Sequence, residues 1–540
     1  MAEAAERMSR VDTTWLRMDN DVNLMMIVGV WLLTPAVSLQ AVRQRVADKL
    51  LKYPRFRQRV HHDAVGASWV EDEHFDLNHH VAPVLLRREP GQTERQALQS
   101  LCAALATEPL DARHPLWQFQ LVEDYEGGCA LVARIHHCIA DGIALISVMQ
   151  SITDGGSDPP RRRRIKPAAD AHADADGLAD AVLKPLTDIA GKAIGMYGDG
   201  VARSLDVLSN PQQLMASVDM VRAGYKVLHD VAAMALLPDD SPTLLKGKPM
   251  GRKAVAWSEP LPLDAVKAVG KALNCSVNDV LLSCAAGAIG QYLHALGDDP
   301  AGKEIRAMVP VNLRPLDKAW QLGNRFGLAP LTLPVGITNP VERVYDVHRR
   351  MAELKGSYQP LLAFAVLSLT GLLIKPAQDA VLGMFAKKTT AVMTNVPGPA
   401  DPLRFCGSTL RQSLFWVPAS GDVGVGVSIL SYAGGVQFGL ITDQALCPDP
   451  QRVIDGFAVQ FDQLLWLTLM LPWGRDAAAA AGDEAVPPPA AGAKASPASE
   501  RSPTAARRTA AGSPPQRRRR AKSPSARPGR ARRPAPRAFA

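Results

Sequence analysis

His136-His137-Cys138-Ile139-Ala140-Asp141-Gly142 is the stretch of this chain whose residue types and spacing could do chemistry. An imidazole titrates near neutrality, so a histidine can take a proton from a hydroxyl and return it within one turnover. The flanking pattern favours that use. The apolar run Ala130–Ile135 reads as a strand leading into the histidines, and Ile143–Met149 as an apolar helix leaving them. Asp141 is suited to N-cap that helix, and Gly142 to let the chain turn tightly. A histidine at a strand end just before a helix projects readily into a cleft. Cys138 beside His137 offers a competing chemistry, a thiol nucleophile next to a base. A lone histidine is usually a satisfied core residue, and that is the plain alternative to a catalytic one here.

The elements that must position these groups lie in 540 residues, 47% hydrophobic and 21% charged, enough for a large core. The net charge of +8 is unevenly placed: from Asp476 to Ala540 there are 14 Lys and Arg against 4 Asp and Glu. That tail alone carries +10, which leaves −2 for the rest. A nucleic-acid-binding fold would carry its positive charge on the body, so contact with nucleic acid is expected only non-specifically, through the tail. The pattern divides into residues 1–152, a first mixed α/β half; 153–180, a disordered linker with Arg161–Arg164; 181–245, a helical connection; 246–475, a second α/β half; and 476–540, a disordered basic tail. Helical spacing follows Ser38 and Ser276, Ala254–Trp257 reads as a strand, and Gly434-Gly435 between two apolar runs reads as a hairpin turn. Leu24–Leu33, Leu361–Ile374 and Leu464–Leu471 are too short to span a bilayer. The middle one is expected as a buried helix or one lying on a membrane. Seven cysteines without a CxxC pair fit free thiols in a reducing compartment.

Other chemistries are poorly supported. G-x-S-x-G and G-x-G-x-x-G do not occur, so neither a nucleophile-elbow hydrolase nor a dinucleotide site is indicated. Gly297–Lys303 mimics a phosphate loop, but Glu304 stands where a magnesium-binding hydroxyl belongs. His61-His62 and His79-His80 lack metal-ligand spacing and read as solvated or structural; no metal is expected.

His-His-x-x-x-Asp-Gly is similar to the signature of the coenzyme A-dependent acyltransferase superfamily. From about Val11 to Trp466 the chain resembles one family in it, the bacterial wax ester synthase/acyl-CoA:diacylglycerol acyltransferases. Further pieces carry the likeness: Phe75-Asp76-Leu77 with His80-Val81, Pro115-Leu116-Trp117, Asn278-Asp279, Val309–Arg314, Gly323–Gly327 and Thr394–Pro399. The resemblance implies a two-domain chloramphenicol-acetyltransferase-like α/β fold, with mixed sheets flanked by helices and an active-site tunnel between the halves. It implies His137 as general base, with His136 and Asp141 shaping the site. It places Gly142, Pro115, Leu116 and Trp117 near the acyl substrate, with Asn278 and Asp279 supporting from the second half. Read from the residues alone, Trp117 is equally a core residue and Asn278 equally a helix cap. The motif interior, Cys-Ile-Ala, departs from the commoner Ala-x-x or Ser-x-x. The implied substrates are acyl-CoA and diacylglycerol or a long-chain alcohol, with no cofactor. The alternatives are an acyltransferase acting on a polyketide-type or other lipid alcohol, and a catalytically silent lipid-droplet or membrane-associated protein. Such substrates imply a cytoplasmic protein, peripheral at a membrane or lipid-droplet surface.

Overall fold

The computed structural model describes residues 5–63, 66–159, 238–315, 318 and 320–471. Most of the expected linker, the helical connection up to residue 237 and the basic tail lie outside the described residues.

Two mixed sheets organise the chain. The first has six strands in the order Arg404–Phe405, Ser408–Trp416, Met26–Thr34, Gly128–His136, Trp117–Tyr125 and Val81–Pro83. All neighbours are antiparallel except the last pair. Gly128–His136 is buried at every position, as expected of a central strand covered on both faces. Helix Gly142–Ser151 covers one side through Ala144, Leu145 and Val148.

The second sheet runs Phe326–Leu333, Ile305–Asn312, Ala391–Pro397, Val425–Tyr432, Gly435–Asp443 and Lys253–Trp257. Its hairpin turns through Ala433 and Gly434, both at positive φ (48° and 78°), the geometry a two-residue turn requires. Helix Val277–Ala295 fills the core behind it, against helices Pro340–Lys355 and Pro450–Leu469. Ser276, not Asn278, is its N-cap: the Ser276 hydroxyl accepts from Asp279 N–H, and the Asp279 carboxylate accepts from Ser276 N–H at 2.8 Å.

Strand Ser408–Trp416 interlocks the two halves. It belongs to the second half in sequence but pairs with Met26–Thr34 in the first sheet, from Thr409 opposite Thr34 to Trp416 opposite Val28. The two sheets share a third apolar cluster in which Trp257 and Trp416 lie 5.8 Å apart. The described residues of both sheets accordingly belong to one compact unit.

Among the described residues, no single helix is long and apolar enough to cross a membrane. Leu361–Ile374 divides. Gln359–Thr370 is a largely buried helix packed on helix Arg10–Arg17. The turn after it leaves Leu372, Leu373 and Ile374 exposed, Ile374 by 74%.

Candidate active site

The histidine doublet is pinned from both sides by backbone bonds. His136 N–H donates to Leu116 O at 3.0 Å, and His137 N–H to Met25 O at 2.7 Å. The side chains then part company. His136 Nδ1 accepts the Cys138 N–H at 3.1 Å while Nε2 faces Asp19 Oδ1 at 3.2 Å. With the Cys138 N–H donated to Nδ1, the Nε2 proton of His136 faces Asp19. Its partners occupy both nitrogens and it shapes the site.

His137 lies on the wall of a cavity of about 280 Å³ with Asp141, Gly142, Asn312, Thr394 and Asn395. Its ring is stacked on Trp15, centroids 4.4 Å apart, with Phe326 tilted against it at 5.5 Å. Nδ1 is buried without a side-chain or backbone partner within hydrogen-bond distance. Burial lowers the pKa from 6.5 to about 4; its own backbone and Asn324 pull it only part of the way back. The imidazole is therefore unprotonated at neutral pH, as a base must be.

Asp141 borders the same cavity but has both its oxygens engaged in the fold. One oxygen caps helix Gly142–Ser151 through Ala144 N–H at 2.9 Å. The other accepts Arg314 Nη2 at 2.9 Å and Arg325 N–H at 3.0 Å. Burial raises its pKa, and Arg314 with the two N–H groups opposes that. It is a buried clasp between the motif and the second half.

The segment Gly323–Gly327 completes the clasp residue by residue. Gly323 sits at φ +96°, which favours glycine, and its carbonyl accepts Arg314 Nη2 at 2.7 Å. Its N–H donates to Ile139 O, and Ala140 forms a bridge to it. Asn324 Nδ2 donates to His137 O at 2.7 Å and to Asp12 Oδ1 at 2.8 Å. Phe326 touches the His137 ring, and at Gly327 a Cβ would sit 1.7 Å from Pro360 O.

The wax ester synthase/diacylglycerol acyltransferase catalytic domain model matches residues 8–281, and the WS/DGAT C-terminal domain model matches residues 322–465. The chain belongs to the wax ester synthase/diacylglycerol acyltransferase family. It is thereby an acyltransferase. A probable diacylglycerol O-acyltransferase of Mycobacterium tuberculosis, tgs1, is 26% identical over 435 residues, which cover 78% of this chain and 87% of the relative. A second from that organism, tgs2, is 26% identical over 419 residues, 74% of this chain and 85% of the relative. The wax ester synthase/diacylglycerol acyltransferase of Marinobacter aquaeolei VT8 shares the fold with a TM-score of 0.58 at 20% identity, covering 86% of this chain and 100% of that one. The condensation domain of the Monacolin K polyketide synthase MokA shares it at 0.52 and 10% identity, over 87% and 98%.

Within this family fold, several expected site residues stand elsewhere. Trp117 is fully buried: its Nε1 donates to Phe56 O at 2.9 Å and His80 stacks on it at 4.5 Å. Neither it nor Pro115 nor Leu116 lines the His137 cavity; this segment positions the site through Leu116 O. Asp279 caps its own helix and accepts His348 Nδ1 at 2.7 Å. Asn278 does reach toward the site, accepting Asn395 Nδ2 at 2.6 Å behind the cavity wall. Cys138 is buried in the apolar core and off the cavity lining, which removes the thiol nucleophile. Gly142 is the first residue of a right-handed helix, so the expected tight turn is not its role. Among the described residues, the metal-type donors that gather within 4.8 Å are Cys275, Asp279 and His348, and hydrogen bonds within the helix cap account for that cluster. His61 and His62 are exposed, and buried His80 donates from Nδ1 to Trp117 O at 2.8 Å. Trp15, Asp12, Asp19, Arg314 and Asn324 surround the motif in the structure, and motif spacing did not single them out. Their only signal was that Arg314 and Asn324 fall inside segments the family shares.

Proposed function

We propose that this chain moves a fatty acyl group from acyl-CoA to the hydroxyl of diacylglycerol, a long-chain alcohol, or both, with His137 as general base. The observation that carries the reading is the buried His137 imidazole, stacked on Trp15, on the wall of an otherwise largely apolar cavity. The names of the Mycobacterium and Marinobacter relatives support the substrate class.

The acceptor hydroxyl gives its proton to His137 Nε2 as its oxygen bonds to the thioester carbonyl carbon. The tetrahedral oxyanion then collapses, the carbon–sulfur bond breaks, and the imidazolium returns the proton to the coenzyme A thiolate. No covalent enzyme intermediate, metal or cofactor enters this sequence. Trp15 and Phe326 fix the ring plane, while Asn324 fixes its backbone, so orientation supplies much of the barrier reduction. A base kept this far below its ordinary pKa is free of solvent protons, and the developing oxyanion beside it restores its proton affinity in the transition state.

Peripheral attachment to a lipid surface belongs to the same proposal. Leu369, Leu372, Leu373 and Ile374 are exposed at one tip, beside Lys375 and Arg17. The neighbouring helices put Leu367, Leu382 and Phe385 into the His137 cavity, so a lipid seated at the tip is close to the chemistry. The basic tail adds attraction to anionic headgroups, about 1 kcal/mol per residue near the surface.

Radiolabelled acyl-CoA with a panel of diacylglycerol, long-chain alcohols and polyketide-type alcohols tests the reading. Ester formation on the first two, abolished in folded His137→Ala, is expected. Wild-type turnover by that variant, or transfer only to the third class, refutes it.

A further inference from the structure

The cap of helix Val277–Ala295 explains why Cys275, Asp279 and His348 gather, but its hydrogen bonds use only part of what gathers there. Ser276 N–H at 2.8 Å and His348 Nδ1 at 2.7 Å both meet Asp279 Oδ2. Oδ1 of the same carboxylate is buried without a side-chain or backbone partner within hydrogen-bond distance. Asp279 is 1% exposed, so bulk water does not serve that oxygen either. A carboxylate oxygen withdrawn from water and left unmatched costs free energy, and the reciprocal cap needs only the other oxygen.

The groups around this carboxylate are donors of another kind. Cys275 Sγ, a ring nitrogen of His348 and an oxygen of Asp279 lie within 4.8 Å of one another. Ligand atoms around a tetrahedral zinc ion stand roughly 3.5 Å apart, so the three need to close by about 1 Å. The half-exposed His348 side chain, on helix Pro340–Lys355, has room to make that movement. Cys275 donates its thiol to Leu273 O at 3.3 Å, a weak bond that is readily exchanged. Sulfur, imidazole nitrogen and a single carboxylate suit zinc, whereas magnesium and calcium favour oxygen alone. A thiolate and a carboxylate together balance the charge of a divalent ion and offset the positive end of the helix.

We propose that Cys275, Asp279 and His348 form a zinc site that ties the start of helix Val277–Ala295 to helix Pro340–Lys355. The ion bonds to Cys275 Sγ, an Asp279 oxygen and a His348 nitrogen. The thiol proton leaves to solvent, and water completes the shell on the exposed side. The site takes no part in the proton transfer at His137, yet it stands close to the cavity wall: Asn278, next to Asp279 in the chain, accepts from Asn395, which lines that cavity. Spacing along the chain hides the site, because His348 lies 69 residues beyond Asp279 on a different helix.

The test uses the full-length protein, stripped with a chelator and titrated with CoCl2 and then ZnCl2. One equivalent of cobalt is expected to give the near-ultraviolet absorption of a thiolate–cobalt bond, and zinc to abolish it by displacement. ZnCl2 is expected to raise the unfolding temperature, and MgCl2 to leave it unchanged. Cys275→Ser should lose the absorption. His348→Ala should weaken zinc binding by at least the roughly tenfold that an outer-shell partner alone costs. The zinc-induced rise in unfolding temperature should shrink or vanish in both. Reading that rise within each variant cancels whatever stability the Asp279–His348 bond itself supplied. Cys406→Ser removes the other cysteine that is only partly buried and should behave as wild type. Failure of the wild type to bind either ion, binding without the thiolate absorption, binding unaltered in Cys275→Ser or His348→Ala, or absorption lost in Cys406→Ser overturns the site.

Discussion

Titrating the acid limb of turnover tests His137 through a property that burial imposes. Its pKa is lowered from 6.5 to about 4, with desolvation as the leading cause. At about pH 5.5 a base of pKa 4 is about 97% unprotonated, whereas one of pKa 6.5 is about 9% unprotonated. kcat/KM, which reports the free enzyme, should therefore stay within a few per cent of its plateau at that pH and reach half near pH 4. The same shift stores a stability effect. From 6.5 to about 4, at about 1.4 kcal/mol per tenfold change in proton affinity, is about 3 kcal/mol. Its sign follows from the unfolded chain binding the proton first. The stability is fully present above pH 6.5, is lost as pH falls from 6.5 toward 4, and changes no further below that. His137→Gln has no such group. Urea unfolding at about pH 7.5 and about pH 4.5 should show the wild type losing about 2–3 kcal/mol more than the variant. Carboxylates and His80 titrate equally in both proteins and cancel. An acid limb centred near 6.5, or equal losses in the two proteins, refutes the reasoning.

Breaking the clasp should act through geometry. Arg314→Met leaves the Asp141 carboxylate buried without its cation and should cost about 3–5 kcal/mol in urea unfolding. Asp141→Leu with Arg314→Met should cost less than the sum of the single changes, and an additive double variant would show that the pair is not coupled. At the lipid surface, Leu372→Asp with Ile374→Asp should weaken binding to liposomes even at high salt, by sedimentation. Removing the chain after Arg475 should weaken binding to anionic liposomes only at low salt, since exposed charges are screened beyond about 10 Å at 0.1 M. Unaltered binding in either case removes that contribution.

The chemistry was legible where local pattern and chemistry coincide. Apolar strand, histidines, capping aspartate and apolar helix follow one another, and Gly128–His136 and Gly142–Ser151 form as that order implies. What a motif does not encode is direction. Asp141 is present in the pattern, yet whether it faces the imidazole or Arg314 depends on a residue 173 positions away. Trp117 could be cavity or core by composition, and packing with Phe56 and His80 made it core. Trp15 and Asp12 sit on helix Arg10–Arg17, more than a hundred residues before the motif, and only the closing of the two sheets brings them to His137 and Asn324. Asn278 shows a local rule outvoted: Ser276, two residues earlier, takes the cap because Asp279 answers it reciprocally.

Strand Ser408–Trp416 also sets a timetable. Its neighbour Met26–Thr34 is a nine-residue apolar strand, and until residue 416 exists that neighbour has pairing on one flank alone. About 280 residues separate the end of Gly128–His136 from the end of the missing partner. At 5–20 residues per second a ribosome takes roughly 15–60 s to deliver it. Throughout that interval the nascent chain exposes an unpaired apolar strand, the kind of template that recruits other chains. A fragment ending before Ser408 would remain in that condition permanently, however complete its histidine motif.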